Sequence, residues 1–452
     1  MRCLVGLDDT DSRSGHCTTH LGFRIVGDLR ASGCAFSTYP RLVRLNPNIP
    51  FKTRGNAAVC LEFETDDPDG AFEIAETAMR ELSDVGNGAN SGLVFLDRER
   101  APGFLRALYL SAVSGVVSYR RVLNLLSEAG IRHVTLGNGM GVVGAAASLG
   151  FRKEDDHTYE LIAYRSEAHY GKRRSVGAGS VKAMERKTFP HTFNSYDHRS
   201  GRVLLTPHGP DPVFLGIRAD SPGIALSAFA TLDFEERLAG HMIYLSNQCT
   251  DAHLGERLLL PMKAYSSGWL EGSVEGLRKG PGGHLYLDLR VTQTLAHCAV
   301  YKPAADLHRA AGLLEPGDEV RVFGGVRRAT GRHPAVLNVE KLEVLSLNRA
   351  QRWTNPVCAN CGRVAKSEGT GKGFQCRSCG ARLGEDARHS EERERTIVPG
   401  TYLPSSGAQR HLTKPLSRYG RELLKAHPLI EGWFRLCPSA AWGQADGLGS
   451  CP

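Results

Sequence analysis

A chain of 452 residues exceeds what one hydrophobic core usually serves, so several domains are expected. It is 41% hydrophobic and 23% charged, ordinary for a soluble globular protein, and no internal repeat or extended low-complexity tract interrupts it. A net charge of +8 points to a polyanionic partner, whereas the lack of any bilayer-length apolar run and the opening MRCLVGLDDTDS, which has no signal-peptide core, point to a cytoplasmic protein.

The first stretch, about 1–193, alternates α and β. Arg2–Leu7 is an apolar strand, read as the first of a parallel sheet, and Thr19–Ser32 follows with helical periodicity. Ala57–Glu64 is a second strand, Pro68–Leu82 an amphipathic helix, and Ile131–Leu136 a strand entering a glycine-rich turn. The pattern breaks at Phe193-Asn194-Ser195. Residues 194–260 read as a small α+β unit with strands at Arg202–Leu205, Val213–Ile217 and Met242–Leu245 and a helix after Pro222. From Lys263 to Leu347 come five short strands, Ser273–Gly276, His284–Val291, Ala296–Tyr301, Glu319–Gly324 and Leu337–Val344, separated by Gly/Pro turns. Five short strands suit an OB-fold barrel, a common grip for nucleic acid.

Cys358 and Cys361, then Cys376 and Cys379, form two CxxC pairs that present four thiolates to one tetrahedral zinc ion. The other reading is a pair of disulfides or free thiols. A tail rich in Arg410, Lys414, Arg418 and Arg421 completes the chain.

Several loops carry chemistry. Asp8, Asp9 and Asp11 end the opening strand, with the oxygen ligands and charge to hold Mg²⁺ on nucleotide phosphates. Cys17, Thr18 and Thr19 enter the next helix; Thr18 faces or accepts a phosphate, and Thr19 caps the helix. Lys52, Arg54, Gly55 and Asn56 stand in one loop suited to cradling phosphate. Gly137-Asn138-Gly139-Met140-Gly141 continues into a literal G-x-G-x-x-G at 139–144. The acidic partner of a dinucleotide site would be Glu160, inside the strand Thr158–Tyr164 rather than at its end, so the loop reads as a nucleotide contact instead. Asp211 and Asp251, on two later loops, suit a small cationic substrate.

The segments GLDDTDS, GHCTTHLG, NPNIPFKTRGN, GNGMGVVGAAASLG, TFPHTFNSYD, LLTPHGPDPVFLGIR, SNQCTDAHL, the two CxxC pairs and RHLTKPLSR recur in this order over nearly the whole chain. Together they resemble the archaeal tRNA-isoleucine 2-agmatinylcytidine synthetase family. The resemblance implies a multidomain α+β protein: an α/β, ATP-dependent kinase-like catalytic domain over 1–193, a ferredoxin-like domain over 194–260, an OB-fold over 261–347, a zinc ribbon over 353–385 and a basic tail over 386–452. It implies ligation of agmatine to C2 of the wobble cytidine of tRNA-isoleucine through a phosphorylated cytidine, with Thr18 itself phosphorylated, and ATP, Mg²⁺ and Zn²⁺ as cofactors. Cys249 departs from the pattern, in a loop where a Gly or similarly small residue is expected. The first rival is a non-enzymatic nucleic-acid binder built on the OB-fold and ribbon; the second is a dinucleotide-dependent oxidoreductase.

Overall fold

The computed structural model describes residues 1–437 apart from 256, 332, 349, 350 and 393. The expected tail beyond 437 lies outside the described residues. Among them no helix is long and apolar enough to cross a membrane.

The N-terminal half is built twice on one plan. In the first unit β1 (Arg2–Asp8), α1 (Thr18–Ala31), β2 (Arg41–Arg44), β3 (Ala57–Glu64), α2 (Pro68–Leu82) and β4 (Gly92–Asp97) follow in turn, and the sheet order is β4-β1-β3-β2. Strand–helix–strand twice over, in this order, is the ferredoxin-like motif. Then come α3 (Phe104–Ser114), α4 (Tyr119–Glu128), β5 (Arg132–Thr135) and α5 (Val142–Ser148). The second unit has β6 (Thr158–Arg165), α6 (Ala178–Thr188), β7 (Thr192–Phe193), a short hairpin of β8 (Tyr196–Asp197) and β9 (Arg202–Val203), β10 (Val213–Ala219), α7 (Pro222–Phe229) and β11 (Leu238–Ser246). Its order is β11-β6-β10-β7, the same arrangement. The expected division at 193 therefore falls within β7, which pairs with Arg218 and Ala219. The elements lacking from a ferredoxin-like reading of 194–260 are β6, α6 and β7, which end at 193, while the strand expected at Arg202–Leu205 belongs to the separate β8–β9 hairpin.

The two units share one ten-stranded sheet, joined where β11 runs parallel to β2. Only Leu245 and Ser246 pair there with Arg41 and Leu42, but the Asn247 side chain extends the ladder by another rung. Its Oδ1 accepts from Arg44 N at 2.7 Å and its Nδ2 donates to Arg44 O at 2.8 Å. The Ser246 hydroxyl adds a bond to Leu42 O at 2.7 Å.

The opening strand is not parallel to its neighbours: β1 runs antiparallel to both β3 and β4. Its unbroken apolar run has another cause. Helices α1 and α2 cover one face of the sheet and α5 the other, so β1 is buried on both sides. The second cover is close, since a Cβ on Gly6 would fall 2.1 Å from the Ala145 carbonyl oxygen.

Strands β12 (Ser267–Lys279), β13 (Leu285–Val291), β14 (Thr294–Val300), β15 (Glu319–Arg327) and β16 (Val336–Ser346) form the third unit, with α8 (Asp306–Ala311) between β14 and β15. The ladder β14-β13-β12-β15-β16 closes on itself by parallel pairing of β14 with β16, the OB-fold barrel. Its own core of Leu, Val and Ala side chains, from Leu270 to Val344, is separate from that of the sheet. Beyond it, Lys366–Ser367, Phe374–Gln375 and Arg382–Leu383 make the three short strands of the cysteine-bearing ribbon.

The described part of the basic tail packs against the protein's own body. From about 403 it straps back over the N-terminal half, where Phe434–Leu436 adds to β11 and Trp433 and Phe434 pack against Phe36 and Phe23. All four of its marked cations are engaged within the protein. Arg418 is 0% exposed, donating to Cys249 O at 2.7 Å and to Asp156 at 2.8 Å, with Asp220 at 3.5 Å. Arg421 pairs with Asp220, Lys414 with Asp156 and Glu422, and Arg410 with Glu340. Arg418→Ala would remove the buried guanidinium that ties Asp156, Asp220 and Cys249 O together, leaving Asp156 only Lys414 and Asp220 only Arg421 and His191. It should cost about 3–5 kcal/mol, read as a fall in denaturant midpoint at constant slope.

Candidate active site and metal centre

A cavity of about 300 Å³ opens at the seam between the two units, beside the C-terminal end of β1. It gathers residues from across the sequence: Asp8, Asp9 and Asp11 after β1, Thr18 at the start of α1, the 49–57 loop, Gly141 and Gly144 at the start of α5, Glu160 of β6, Arg218 of β10, Asp211 and the strap's His411.

The carboxylates are held tightly. Asp8 packs on Gly144, where a Cβ would stand 1.8 Å from Asp8 Oδ2. Asp9 Oδ1 accepts from the Thr53 hydroxyl at 3.0 Å. Asp11 lies 3.4 Å from Arg54 Nε, and Arg54 Nη1 lies 3.4 Å from Asp211, so one guanidinium bridges two carboxylates. Arg54 also donates to the carbonyls of Ser12, Gly15 and His16, which fastens the phosphate-type loop to the turn after β1. Asp9, Arg54 and Asn56 all have positive φ (53°, 45° and 51°), a strained backbone of the kind concentrated at functional sites.

Burial pushes Asp8 well above the carboxylate range, with Asp9 and Asp11 adding to it. It also raises Asp9, against the hydrogen bonds from Thr53 and Asn90. Burial takes Asp11 to about 6 against the pull of Arg54, with Asp9 and Asp211 reinforcing the rise. Crowded anions without enough compensating charge are a site shaped for a cation. Hard oxygen ligands suit Mg²⁺, which commonly takes one or two carboxylates together with water and phosphate. The three side chains do not close into a complete cage. Among the described residues, only the four cysteines place three or more metal-ligating atoms within 4.8 Å of one another.

Thr18 lies 4% exposed on the cavity wall, its hydroxyl 3.1 Å from that of Thr10. Thr19 does not cap α1: Cys17 is the N-cap residue, and the Thr19 hydroxyl sits 3.1 Å from Cys17 Sγ. Lys52, Arg54, Gly55 and Asn56 line the cavity, and burial lowers the pKa of Lys52, with Arg410 contributing.

The 137–144 turn divides. Gly141 lines the cavity, where a Cβ would fall 2.6 Å from Asp8 O. Gly137, Asn138 and Gly139 do not line it; they shape the turn, with Asn138 N donating to Asn90 Oδ1 at 3.0 Å. The literal G-x-G-x-x-G is no dinucleotide fingerprint, because β5 is an edge strand antiparallel to β4 and no parallel βαβ unit surrounds it.

Asp211 faces the cavity while its Oδ1 stands 3.3 Å from Arg174, which also ties the carbonyls of Pro207, Gly209 and Asp211. Asp251 is not brought to the cavity. It anchors the strap, accepting from Lys414 N at 2.7 Å and Tyr419 OH at 3.1 Å and pairing with Lys341 at 3.2 Å. Cys249 and Asp251 both have positive φ (57° and 60°), which is why a glycine would suit position 249.

Sequence reasoning overlooks Arg44, Arg218 and His411 and takes Glu160 only as a failed dinucleotide ligand. Glu160 is 4% exposed, receives a bond from Gln248, and stands 3.5 Å from Arg218 and 4.0 Å from Arg44. No spacing marks these residues, because they meet only through the β6–β10 and β2–β11 pairings.

In the ribbon, Cys358 and Cys379 Sγ lie 3.5 Å apart, and Cys361 and Cys376 3.4 Å. Four Zn–S bonds of about 2.3 Å at tetrahedral angles would set sulfurs about 3.8 Å apart, so the group fits zinc with little adjustment. Each pair sits on a turn closed by a positive-φ glycine, Gly362 N donating to Cys358 O and Gly380 N to Cys376 O. Backbone amides of Cys379 and Ser378 directed at Cys376 lower its pKa to about 6.

Residues 4–69, 139–253 and 355–397 match family models described as the TiaS TCKD domain, the TiaS FLD domain and the TiaS C-terminal zinc ribbon domain. The chain is 42% identical over 425 residues to the tRNA-isoleucine 2-agmatinylcytidine synthetase TiaS of Cenarchaeum symbiosum, covering 93% of each. It is 40% identical over 436 residues to that of Methanopyrus kandleri, covering 94% of this chain and 99% of the relative. The crystal structure of apo TiaS resembles it with a TM-score of 0.84 at 32% identity, over 92% of this chain and 98% of that one. The complex of TiaS with its isoleucine tRNA and ATP gives 0.83 at 32%, over 96% and 99%. The complex of TiaS with that tRNA, AMPCPP and agmatine gives 0.80 at 31%, over 92% and 97%. Motif order, two ferredoxin-like units, barrel and ribbon thus agree with these relatives along almost the full length, and the chain belongs to the TiaS family of tRNA-isoleucine 2-agmatinylcytidine synthetases.

Proposed function

We propose that this protein is an ATP-dependent ligase that attaches agmatine to C2 of the wobble cytidine of tRNA-isoleucine with a CAU anticodon, so that the tRNA decodes AUA. The observation that carries the reading is the seam cavity, which sets carboxylates, phosphate-binding cations and a threonine hydroxyl around one space. A purely RNA-binding protein has no use for buried carboxylates raised out of their normal range.

The C2 oxygen of cytidine is a poor leaving group toward an amine. The C2 oxygen takes the terminal phosphoryl group of ATP as the P–O bond to the rest of the nucleotide breaks and that nucleotide departs, which makes the oxygen a good leaving group; the amine nitrogen of agmatine then bonds to C2, the C2–O bond breaks, phosphate leaves and the amine gives up a proton. Lys52 and Arg54 clamp the phosphoryl oxygens, and Gly55, Asn56 and Gly141 let the phosphates approach the backbone. Thr18, on the cavity wall, would accept a phosphoryl group. Asp8, Asp9 and Asp11 would hold Mg²⁺, which supplies neutralisation of charge on the transferring group. Asp211 is the carboxylate for the guanidinium of agmatine, since of the two candidates only it lines the cavity. Cys358, Cys361, Cys376 and Cys379 hold Zn²⁺, and the barrel and ribbon grip the tRNA in the cytoplasm. Extruding the target base costs a few kcal/mol, which remote binding offsets.

Incubation with ATP, agmatine and a CAU-anticodon tRNA-isoleucine transcript, followed by nucleoside mass analysis, should reveal 2-agmatinylcytidine; its absence in fully folded, zinc-loaded protein would refute the reading. Asp211→Asn should raise KM for agmatine about 10- to 100-fold, the worth of a charge-assisted bond, with KM for ATP little changed. Equal rises in both constants would place Asp211 elsewhere in the chemistry.

A further inference from the structure

The strap brings one side chain to the cavity that neither the carboxylates nor the phosphate-type loop explains. His411 is held by backbone pairing with the 249–251 loop: Cys249 N donates to His411 O at 2.9 Å and Asp251 N to Leu412 O at 2.8 Å. Its ring is oriented by Arg218, whose Nη2 lies 3.0 Å from His411 Nδ1. A guanidinium can only donate, so Nδ1 presents its lone pair and the ring proton must reside on Nε2. The neighbouring guanidiniums of Arg44, above all, and Arg218 hold the ring well below the ordinary imidazole pKa, which keeps it in this neutral form.

His411 is exposed where it lines the cavity, and its Nε2–H makes no hydrogen bond to the described residues. It lies over the phosphate-type loop, where a Cβ on Gly55 would stand 3.3 Å from it and 2.6 Å from Arg44 Nη1. Other donors share this wall: the Nε atoms of Arg44 and Arg218 are buried without a hydrogen-bond partner. Glu160 faces Arg218 Nε at 3.5 Å and Arg44 Nη2 at 4.0 Å, ion-pair contacts that offset part of the charge without hydrogen-bond geometry to either Nε. Guanidinium and imidazole donors short of protein hydrogen bonds in one cavity suit a ligand group made of acceptor oxygens.

We propose that His411 is a catalytic residue supplied by the C-terminal strap, its Nε2–H donating a hydrogen bond to a phosphoryl oxygen of the ligand in the seam cavity. The assignment rests on the reading that this cavity binds ATP. His411 transfers no proton in this role; it is a fixed neutral donor.

The test compares His411→Ala, His411→Gln and His411→Met in the full-length protein. It measures affinity for AMPCPP by calorimetry, and kcat and KM for adduct formation at pH 6 and pH 8. Loss of the bond in His411→Ala should weaken AMPCPP binding about 10- to 100-fold, whereas His411→Gln, which keeps an N–H, should stay within about threefold of the parent. The ratio of parent to alanine variant should be the same at both pH values. An alanine variant that binds AMPCPP like the parent, a glutamine variant as weak as alanine, or a ratio that changes with pH would overturn the assignment. If the alanine variant does not fold, Gln against Met, which keeps bulk without a donor, decides the question. Parent protein that binds AMPCPP without forming adduct would refute the ligase reading and leave His411 standing; parent protein that does not bind AMPCPP would refute both.

Discussion

Replacing Asp8, Asp9 and Asp11 together by Asn should cut ATP turnover by at least about 10³-fold while tRNA affinity stays within about threefold. The substitution keeps shape and removes charge where a phosphoryl group and its cation would sit, and electrostatic stabilisation of that kind is commonly the largest catalytic contribution. The barrel and ribbon, which would carry the RNA, are untouched. The same variant should be no less stable than the parent at pH 7, for a reason the site itself supplies. Burial raises all three carboxyls above the range they have in an unfolded chain. The folded state therefore holds its protons more tightly, and stability falls as pH rises; for Asp11 the window runs from 3.8 to about 6. Above it the ionised groups oppose folding, and Asn relieves the opposition. Turnover that survives, or tRNA binding lost in parallel, would refute the assignment.

Removing zinc should have the second largest effect, and a different one. The ribbon's strands are two residues each, and its buried side chains are few: Ala365 and Phe374 beside Cys358 and Cys376. Metal-binding free energy of about 10–16 kcal/mol is thus what folds it. Cys376→Ser should lower zinc content below one ion per chain and weaken tRNA binding more than about tenfold, with AMPCPP affinity unchanged because no ribbon residue lines the seam cavity. Metal analysis and filter binding check both halves. A serine variant that keeps its zinc, or loses it with tRNA affinity intact, would contradict the role.

Much of this is readable before folding. The acidic turn, the Lys52–Asn56 loop and the cysteine pairs each sit within a few residues, and local chemistry marks them. What escapes is what the sheet assembles. Glu160, Arg44, Arg218 and His411 come from four distant segments, and only strand pairing brings them together. The direction of β1 misleads because a strand covered on both faces shows a continuous apolar run whichever way its neighbours point. The first half of β12 is hidden because Gly268 and Gly272 interrupt its apolar pattern. Both are required by close approach of backbone, with a Cβ at Gly272 falling 2.0 Å from Arg290 O. The tail's cations look unpaired in the sequence because charge is visible and their partners, Asp156, Asp220 and Glu340, are not adjacent to them.

The parallel rungs between β2 and β11 have a mechanical consequence. Two lobes welded by backbone hydrogen bonds cannot shut like a clam around a substrate, since a hinge there would have to tear the rungs and strip Asn247 from Arg44.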